Sequence, residues 1–388
     1  MQAPTFAPVL LSGRLSVARL PAHLTPNDMR PLVRLVCLLI ATASPAGAAF
    51  AQGEVAVHVR YSDAADAFEI LDQASAWWPG FVEPAYRAFW ADSLGVTPAD
   101  SVLFDAYSRL RTRHFDRTGQ ENGDPRTGPD GLFTARAALT ADPVAHAFYQ
   151  SETVEEALGR LAGVLEPGEV AFLRAFYGHF EARLAPLLAE TRQAVAPSLA
   201  ATAATLDTPE VRSYLGHIGR LFGVEEPVAY TALYVWWPNE ELVRASPSGP
   251  FLLLRTRPRP GETMNSADVV AHEAVHVLAA QQPEAQKRAV TDAVLAECPG
   301  VLDRTRRLGV IEEPLATALG NIEFRRRFQP ARFRWGRRWY GQPWVDVYAR
   351  VLHPAVVEAL DAGRGVDERL VADLSALCGA VVALGSAE

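Results

Sequence analysis

Cysteine is nearly absent from this chain: 388 residues hold 3, at positions 37, 298 and 378. No two of them have Cys-x-x-Cys spacing, which excludes a thiolate metal site of that kind. A net positive charge is lacking too. The formal charge is −8, and that argues against a general nucleic-acid binder. The acidic residues of the turn-rich stretch Thr118–Gly131 lack the ligand order of a helix-loop-helix calcium site, so the stretch reads as a surface loop near a cleft. Long apolar runs are missing as well. Leu35–Gly53 is uncharged, but Pro45 and Gly47 interrupt it, and its strongly apolar part is too short to span a bilayer.

That short run has a different reading. Met29-Arg-Pro-Leu-Val-Arg34 is a positive n-region, Leu35–Ala43 an apolar core, and Ala49-Phe-Ala51 a small-residue cleavage site before Gln52. Together they form the pattern of a secretory signal peptide. Residues 1–51 are therefore expected to be an upstream leader plus signal peptide, with Met29 as the true start. The mature protein is expected outside the cytoplasm, periplasmic or secreted, with no stable membrane span after cleavage. Cys37 leaves with the signal. Cys298 and Cys378 remain, either as one disulfide or as two separate buried thiols.

What is present matters more. Ala267–Leu278 contains His272-Glu273-Ala-Val-His276, the H-E-x-x-H pattern. On a helix, residues four apart share a face, so His272 and His276 aim two imidazoles at one point. Zinc accepts neutral imidazole nitrogens at ~2.0–2.1 Å. Glu273, one residue on, sits beside the metal, where it can take a proton from a zinc-bound water. Val269, Val270, Val275, Val277 and Leu278 supply the apolar surroundings of a buried helix. Asn265 and Ser266 are candidate caps, and Asp268 places a negative charge in the first turn. His58, His179 and His217 have no partner at metal spacing and read as surface or satisfied helical residues.

A catalytic zinc needs a third protein ligand and one open position. Glu312-Glu313-Pro314-Leu315-Ala316 is the best downstream source, because Pro314 suits a helix start and the acids precede it. From the residues alone, Glu312 and Glu313 both stand. His272-Glu-x-x-His276 followed by a Glu on a second helix resembles the gluzincin zinc metallopeptidases. Aligned on Leu315-Ala316, the resemblance implies Glu313 as the third ligand, with Glu312 next in line. It also implies a downstream Tyr or His as oxyanion donor, for which Tyr340, Tyr348 and His353 are available. Tyr340 is preferred because it lies at a Gly-bounded turn. No Gly-x-Ala-Met-Glu-Asn-type exopeptidase signature is present, so aminopeptidase action is not implied.

The remaining pattern gives the fold class. Val55–Tyr61, Val228–Trp237 and Phe251–Thr256 read as strands. Ala64–Arg113 and Asp142–Phe222 read as helical, with aromatics such as Trp77, Tyr86, Trp90, Phe176 and Phe180 filling a core. Glu284–Glu297, Pro314–Phe328, Trp344–Leu360 and Asp367–Leu384 are further helices. The expectation is an α+β, mostly helical protein, with a small sheet packed on a zinc-binding active-site helix and helical N-terminal and C-terminal parts. Residues 52–225 form a strand plus a mainly helical region, and 226–388 a gluzincin-like catalytic region. The resemblance makes Phe251–Thr256 a substrate-binding edge strand; a plain core strand is the other reading. Arg325–Tyr340, basic and aromatic, either pairs with the chain's own carboxylates or anchors a substrate carboxylate. The function expected is that of a secreted zinc metallopeptidase acting on peptides or proteins; the alternative is an inactive, metal-stabilised binding protein. The oligomeric state is left open.

Overall fold

Val55–Tyr61 alternates apolar and polar side chains, and it forms strand β1. Val228–Trp236 (β2), Arg244–Ser248 (β3) and Phe251–Thr256 (β4) complete one sheet in the order β1-β2-β4-β3. β1, β2 and β4 run parallel, with Val55 opposite Val228 and Thr231 opposite Phe251. β3 runs antiparallel to β4, Ser248 opposite Phe251. Gly249 turns this hairpin with a φ of 56°, a conformation that costs glycine little at the first position of a two-residue turn. These statements come from a computed structural model, in which residues 54–78, 84–115, 142–239, 243–259, 261–299 and 311–385 are described. The expected leader and cleavage site, and the Thr118–Gly131 loop, lie outside the described residues.

Helices cover the sheet on both sides. Between β1 and β2 come Asp63–Ser75 (α1), Pro84–Phe89 (α2), Pro98–His114 (α3), Pro143–Tyr149 (α4), Val154–Leu161 (α5), Pro167–Leu206 (α6) and Pro209–Leu221 (α7). After β4 follow Ala267–Ala280 (α8), Glu284–Glu297 (α9), Glu312–Ala316 (α10), Phe324–Phe328 (α11), Pro343–Asp361 (α12) and Glu368–Gly385 (α13). Proline opens α3, α4, α6, α7 and α12, where its fixed φ fits and its missing N–H costs nothing. Thr97, Thr153 and Thr208 each accept a main-chain N–H of the first turn that follows.

Because strand side chains alternate, each sheet face feeds a separate core. Tyr230, Ala232, Tyr234, Leu252 and Leu254 pack with α7, α8, α12 and α13. Leu233, Val235, Phe251 and Leu253 pack with aromatics of α1 to α6 and the turn after α2, including Phe68, Trp90, Phe176 and Phe180. The second core also holds charge. Arg111 of α3 is buried between Asp72, at 2.6 Å, and Asp142, at 2.7 Å, and so ties α1 to the start of α4. Arg255 of β4 reaches Glu69 of α1 at 2.8 Å. Pairs this deep hold geometry more than they add stability, since their desolvation offsets most of the attraction.

The architecture is the mostly helical α+β fold expected, with the sheet packed on α8. The expected boundary at residue 225 falls just ahead of β2, a strand that pairs with β1, and the described residues form one compact unit. One expectation fails. Phe251–Thr256 is not an edge, because β4 is hydrogen-bonded to β2 on one side and β3 on the other. The edge strand on that side is β3, Arg-Ala-Ser-Pro-Ser, whose serines and Pro247 read as a loop boundary. Proline is tolerated in a strand at a sheet edge, where its missing N–H breaks no interior ladder.

Cys298, at the end of α9, and Cys378, in α13, form a disulfide with a Cα–Cα distance of 5.8 Å across 80 positions. Closing a loop of this length is worth about 4 kcal/mol on the chain-entropy account. Replacing both cysteines with alanine should therefore lower the unfolding free energy by about 3–4 kcal/mol in denaturant titrations. An unchanged midpoint would remove the bond from the list of things that hold the C-terminal helices.

Candidate metal centre

The centre begins with α8. Every residue from Ala267 to Ala280 except Val269 is buried, so the helix is enclosed on nearly all sides. Its start is capped by Asn265, whose Oδ1 accepts the Ala267 N–H at 3.1 Å, while the Ser266 hydroxyl makes no cap. His272 and His276 lie one turn apart and their Nε2 atoms approach to 3.1 Å.

The third donor arrives from α10. Glu313 lies in its first turn, and Oε2 is 3.4 Å from His272 Nε2 and 3.6 Å from His276 Nε2. All three side chains are buried. Donors bound to one tetrahedral zinc at ~2.0–2.1 Å lie roughly 3.3 Å from each other. The observed separations bracket that figure. Glu313 Oε2 is buried and makes no hydrogen bond of normal geometry, as befits an atom built to face a cation. The residues therefore fit a metal ion: this buried His-His-Glu group could hold one, and among the described residues no other cluster of His, Cys, Asp and Glu has such geometry. Glu312 points elsewhere; its Oε2 accepts the Ile311 N–H at 3.2 Å and it lines a separate cavity of about 30 Å³ with Phe222, Ala280 and Lys287.

What brings α10 to α8 is a widened helix. After Ala316 the chain forms a π-helical segment, Thr317–Glu323, before α11. In an unbroken α-helix, residues eight apart diverge by roughly 80°. Wider i→i+5 turns bring Glu313 and Asn321 back towards one face. Both then act on one imidazole. Asn321 Oδ1 accepts from His272 Nδ1 at 2.9 Å, which leaves the lone pair on Nε2, facing His276 and Glu313. Asn321 is fixed in turn: its Nδ2 donates to the Asp268 carbonyl at 3.1 Å, and Arg325 holds the Asp268 carboxylate at 2.7 Å.

Gly320 makes this approach possible. A Cβ on it would fall 2.3 Å from His272 Cα and 2.4 Å from His272 N. The two helices meet main chain to main chain, and no side chain fits between them.

The electrostatics follow from burial. Desolvation alone would lift the Glu313 carboxyl, but the two imidazoles outweigh it and hold Glu313 below the ordinary carboxylate range. Desolvation would likewise depress His272, and Glu313 reverses that shift. Glu273 lies on the same helix, buried, and its carboxyl is pushed up by desolvation against the pull of His272 and His276. Tyr340 stacks beside the His272 ring, with centroids 6.2 Å apart and planes at 20°. Asp346, at the start of α12, sets that position by accepting the Trp339 and Tyr340 main-chain N–H groups. The other two candidate oxyanion donors are engaged in packing. Tyr348 donates to the Leu374 carbonyl at 2.8 Å, and His353 meets Glu323 at 2.9 Å. His179 is bonded to Asp100 and His217 to its own helix, as expected of satisfied residues.

Sequence reasoning missed the π segment, Gly320 and Asn321. The glycine inside a helical pattern, directly before an asparagine, was the available signal for close main-chain approach. Comparison of the chain with protein-family models, with curated proteins and with solved structures finds no match.

Asn321→Ala should weaken metal affinity by about 10- to 100-fold in competition with a chromophoric chelator, since it frees the His272 ring. Gly320→Ala should cost more, abolishing tight binding and lowering the melting temperature together. Wild-type metal affinity in Gly320→Ala would show that the main-chain contact is not what assembles the donors.

Proposed function

We propose that the chain is a zinc-dependent metallopeptidase of the gluzincin type, with His272, His276 and Glu313 as metal ligands. The observation that carries the reading is the convergence of three buried donors, from two helices, at tetrahedral spacing beside a buried glutamate. Zinc, when bound, supplies Lewis acidity: it makes water acidic near neutral pH and polarises a carbonyl. Nitrogen and oxygen donors at closed, short range suit that ion.

The chain's own groups then divide the work. Glu273 accepts the proton of the attacking water and returns it to the departing amine nitrogen. Its burial keeps the carboxyl's proton affinity high, which suits a group that must take up a proton and give it back. Tyr340 offers its hydroxyl to the negative charge that develops on the substrate carbonyl oxygen. Asn321 holds the imidazole of His272 in the ligating tautomer. The outer edge of β3, which lies beside α8, supplies main-chain groups to pair with an extended peptide. The disulfide is in keeping with export from the cytoplasm.

The test is direct. Purified protein should carry about one zinc per chain by elemental analysis and cleave an unbiased peptide library, with cleavage lost on chelation and restored by zinc. Glu273→Gln should keep the zinc and lose roughly a thousandfold in turnover. Wild-type turnover in that variant would strip Glu273 of its role. Zinc at one equivalent with no cleavage by the wild type would instead favour a metal-stabilised binding protein.

A further inference from the structure

The metal centre borders a surface unlike the rest of this acidic chain. Arg332, Arg334, Arg337 and Arg338 are all exposed, in a protein of formal charge −8. Their neighbours in sequence are neutralised internally: Arg325 by Asp268, Arg326 and Arg327 by Glu323, and Arg350 by Asp346. Among the described residues, the four between pair with no carboxylate. They bond to main-chain carbonyls: Arg332 to Asn265, Arg334 to Ala331 and Phe333, Arg337 to Arg338, and Arg338 to Tyr340 and Gly341. A carbonyl orients a guanidinium without cancelling its charge, and each fork has further N–H donors to offer.

The cations are also gathered together. Arg325 and Arg337 both lie over the Trp339 ring, 5.9 and 5.1 Å from its centroid. Arg332 is fastened to Asn265, just ahead of α8. Burial first, and then the charge of Arg325, lower the proton affinity of both Arg332 and Arg337, as expected of guanidiniums near one another. The charge of Asp268 pulls the other way, but Arg325 holds its carboxylate. Trp335, 46% exposed, and Phe333 present apolar surface on the same segment. The segment runs straight into Tyr340, whose ring lies on His272.

We propose that the Arg332–Arg338 segment anchors the carboxylates of a peptide substrate, which makes the centre selective for acidic peptides. The proposal rests on the peptidase reading and names its substrate class. Guanidinium forks match carboxylates two bonds at a time, and surface aromatics take up the carbon stems between them. Continuity with the metal centre favours a peptide over a nucleic acid: a chain held here passes Tyr340 and reaches His272.

Binding is measured with zinc-loaded Glu273→Gln protein, so that cleavage plays no part, using fluorescein-labelled peptides rich in Asp and Glu, their Asn and Gln counterparts, and a single-stranded oligonucleotide of equal charge. The acidic peptide should bind at least tenfold more tightly than its neutral counterpart, and its affinity should fall as salt is raised. Adding Arg332→Gln with Arg337→Gln should remove at least about tenfold of that affinity with zinc content unchanged, the loss of one charge-assisted contact or more. Equal affinity for acidic and neutral peptides, salt-independent binding, or tighter binding of the oligonucleotide would each overturn the proposal. Preferential binding of acidic peptides by a protein whose wild type cleaves nothing would uphold this surface and sink the peptidase reading. Cleavage without any acidic preference would do the reverse.

Discussion

Two helices touch through their main chains, at Gly320 and His272, and the convergence of His272, His276 and Glu313 depends on that contact. At such a distance the side chains that flank it have little freedom. Glu313, two turns earlier, is carried to the Nε2 side of the imidazole, and Asn321, one residue later, to the Nδ1 side. The π segment is what makes both reach the same ring, because a regular helix would aim one of them away. Geometry that would otherwise rely on long side chains is thereby set by the backbone. Metal sites need this, since ligand positions must hold within a fraction of an ångström for the ion to bind tightly.

The rest of the molecule holds α8 still. A helix buried on nearly every side cannot shift without disturbing both the sheet and the C-terminal helices. The sheet is itself clamped from its far face, where Arg255 grips Glu69 and Arg111 bridges Asp72 and Asp142. Rigid surroundings of this kind also fix the groups beside the three donors: Glu273 within the helix, and Tyr340 on a turn pinned by Asp346.

Much of this was legible in the residues. The His272 helix, three of the four strands and the later helices follow from periodicity and punctuation, because hydrophobic spacing is a local property. The residues alone left Glu312 and Glu313 both standing; the family resemblance, aligned on Leu315-Ala316, implied Glu313, and Glu313 is the acid that joins the imidazoles. Three features stayed hidden, each for a physical reason. β3 contains Pro247 and two serines, so its strand character comes from pairing with β4 and not from its own propensity. The π segment has no compositional mark, since Thr317–Glu323 would serve equally as α-helix. Asn321 is an ordinary polar residue until the fold sets it 2.9 Å from a ring 49 positions away.

The pairing of β1 with β2 carries a consequence for how the molecule assembles. Val55 finds its partner at Val228, with seven α-helices among the described residues in between. Contacts so distant in sequence close late, because the loop entropy must be met before the strands reward it. The helices α1 to α7 must therefore gather while the first strand still waits, and the floor on which the metal helix rests is laid only when both ends of that long detour meet. The donor geometry is therefore expected to form late in folding, and a nicked or stalled chain that never joins those strands would possess His272, His276 and Glu313 without a place to converge.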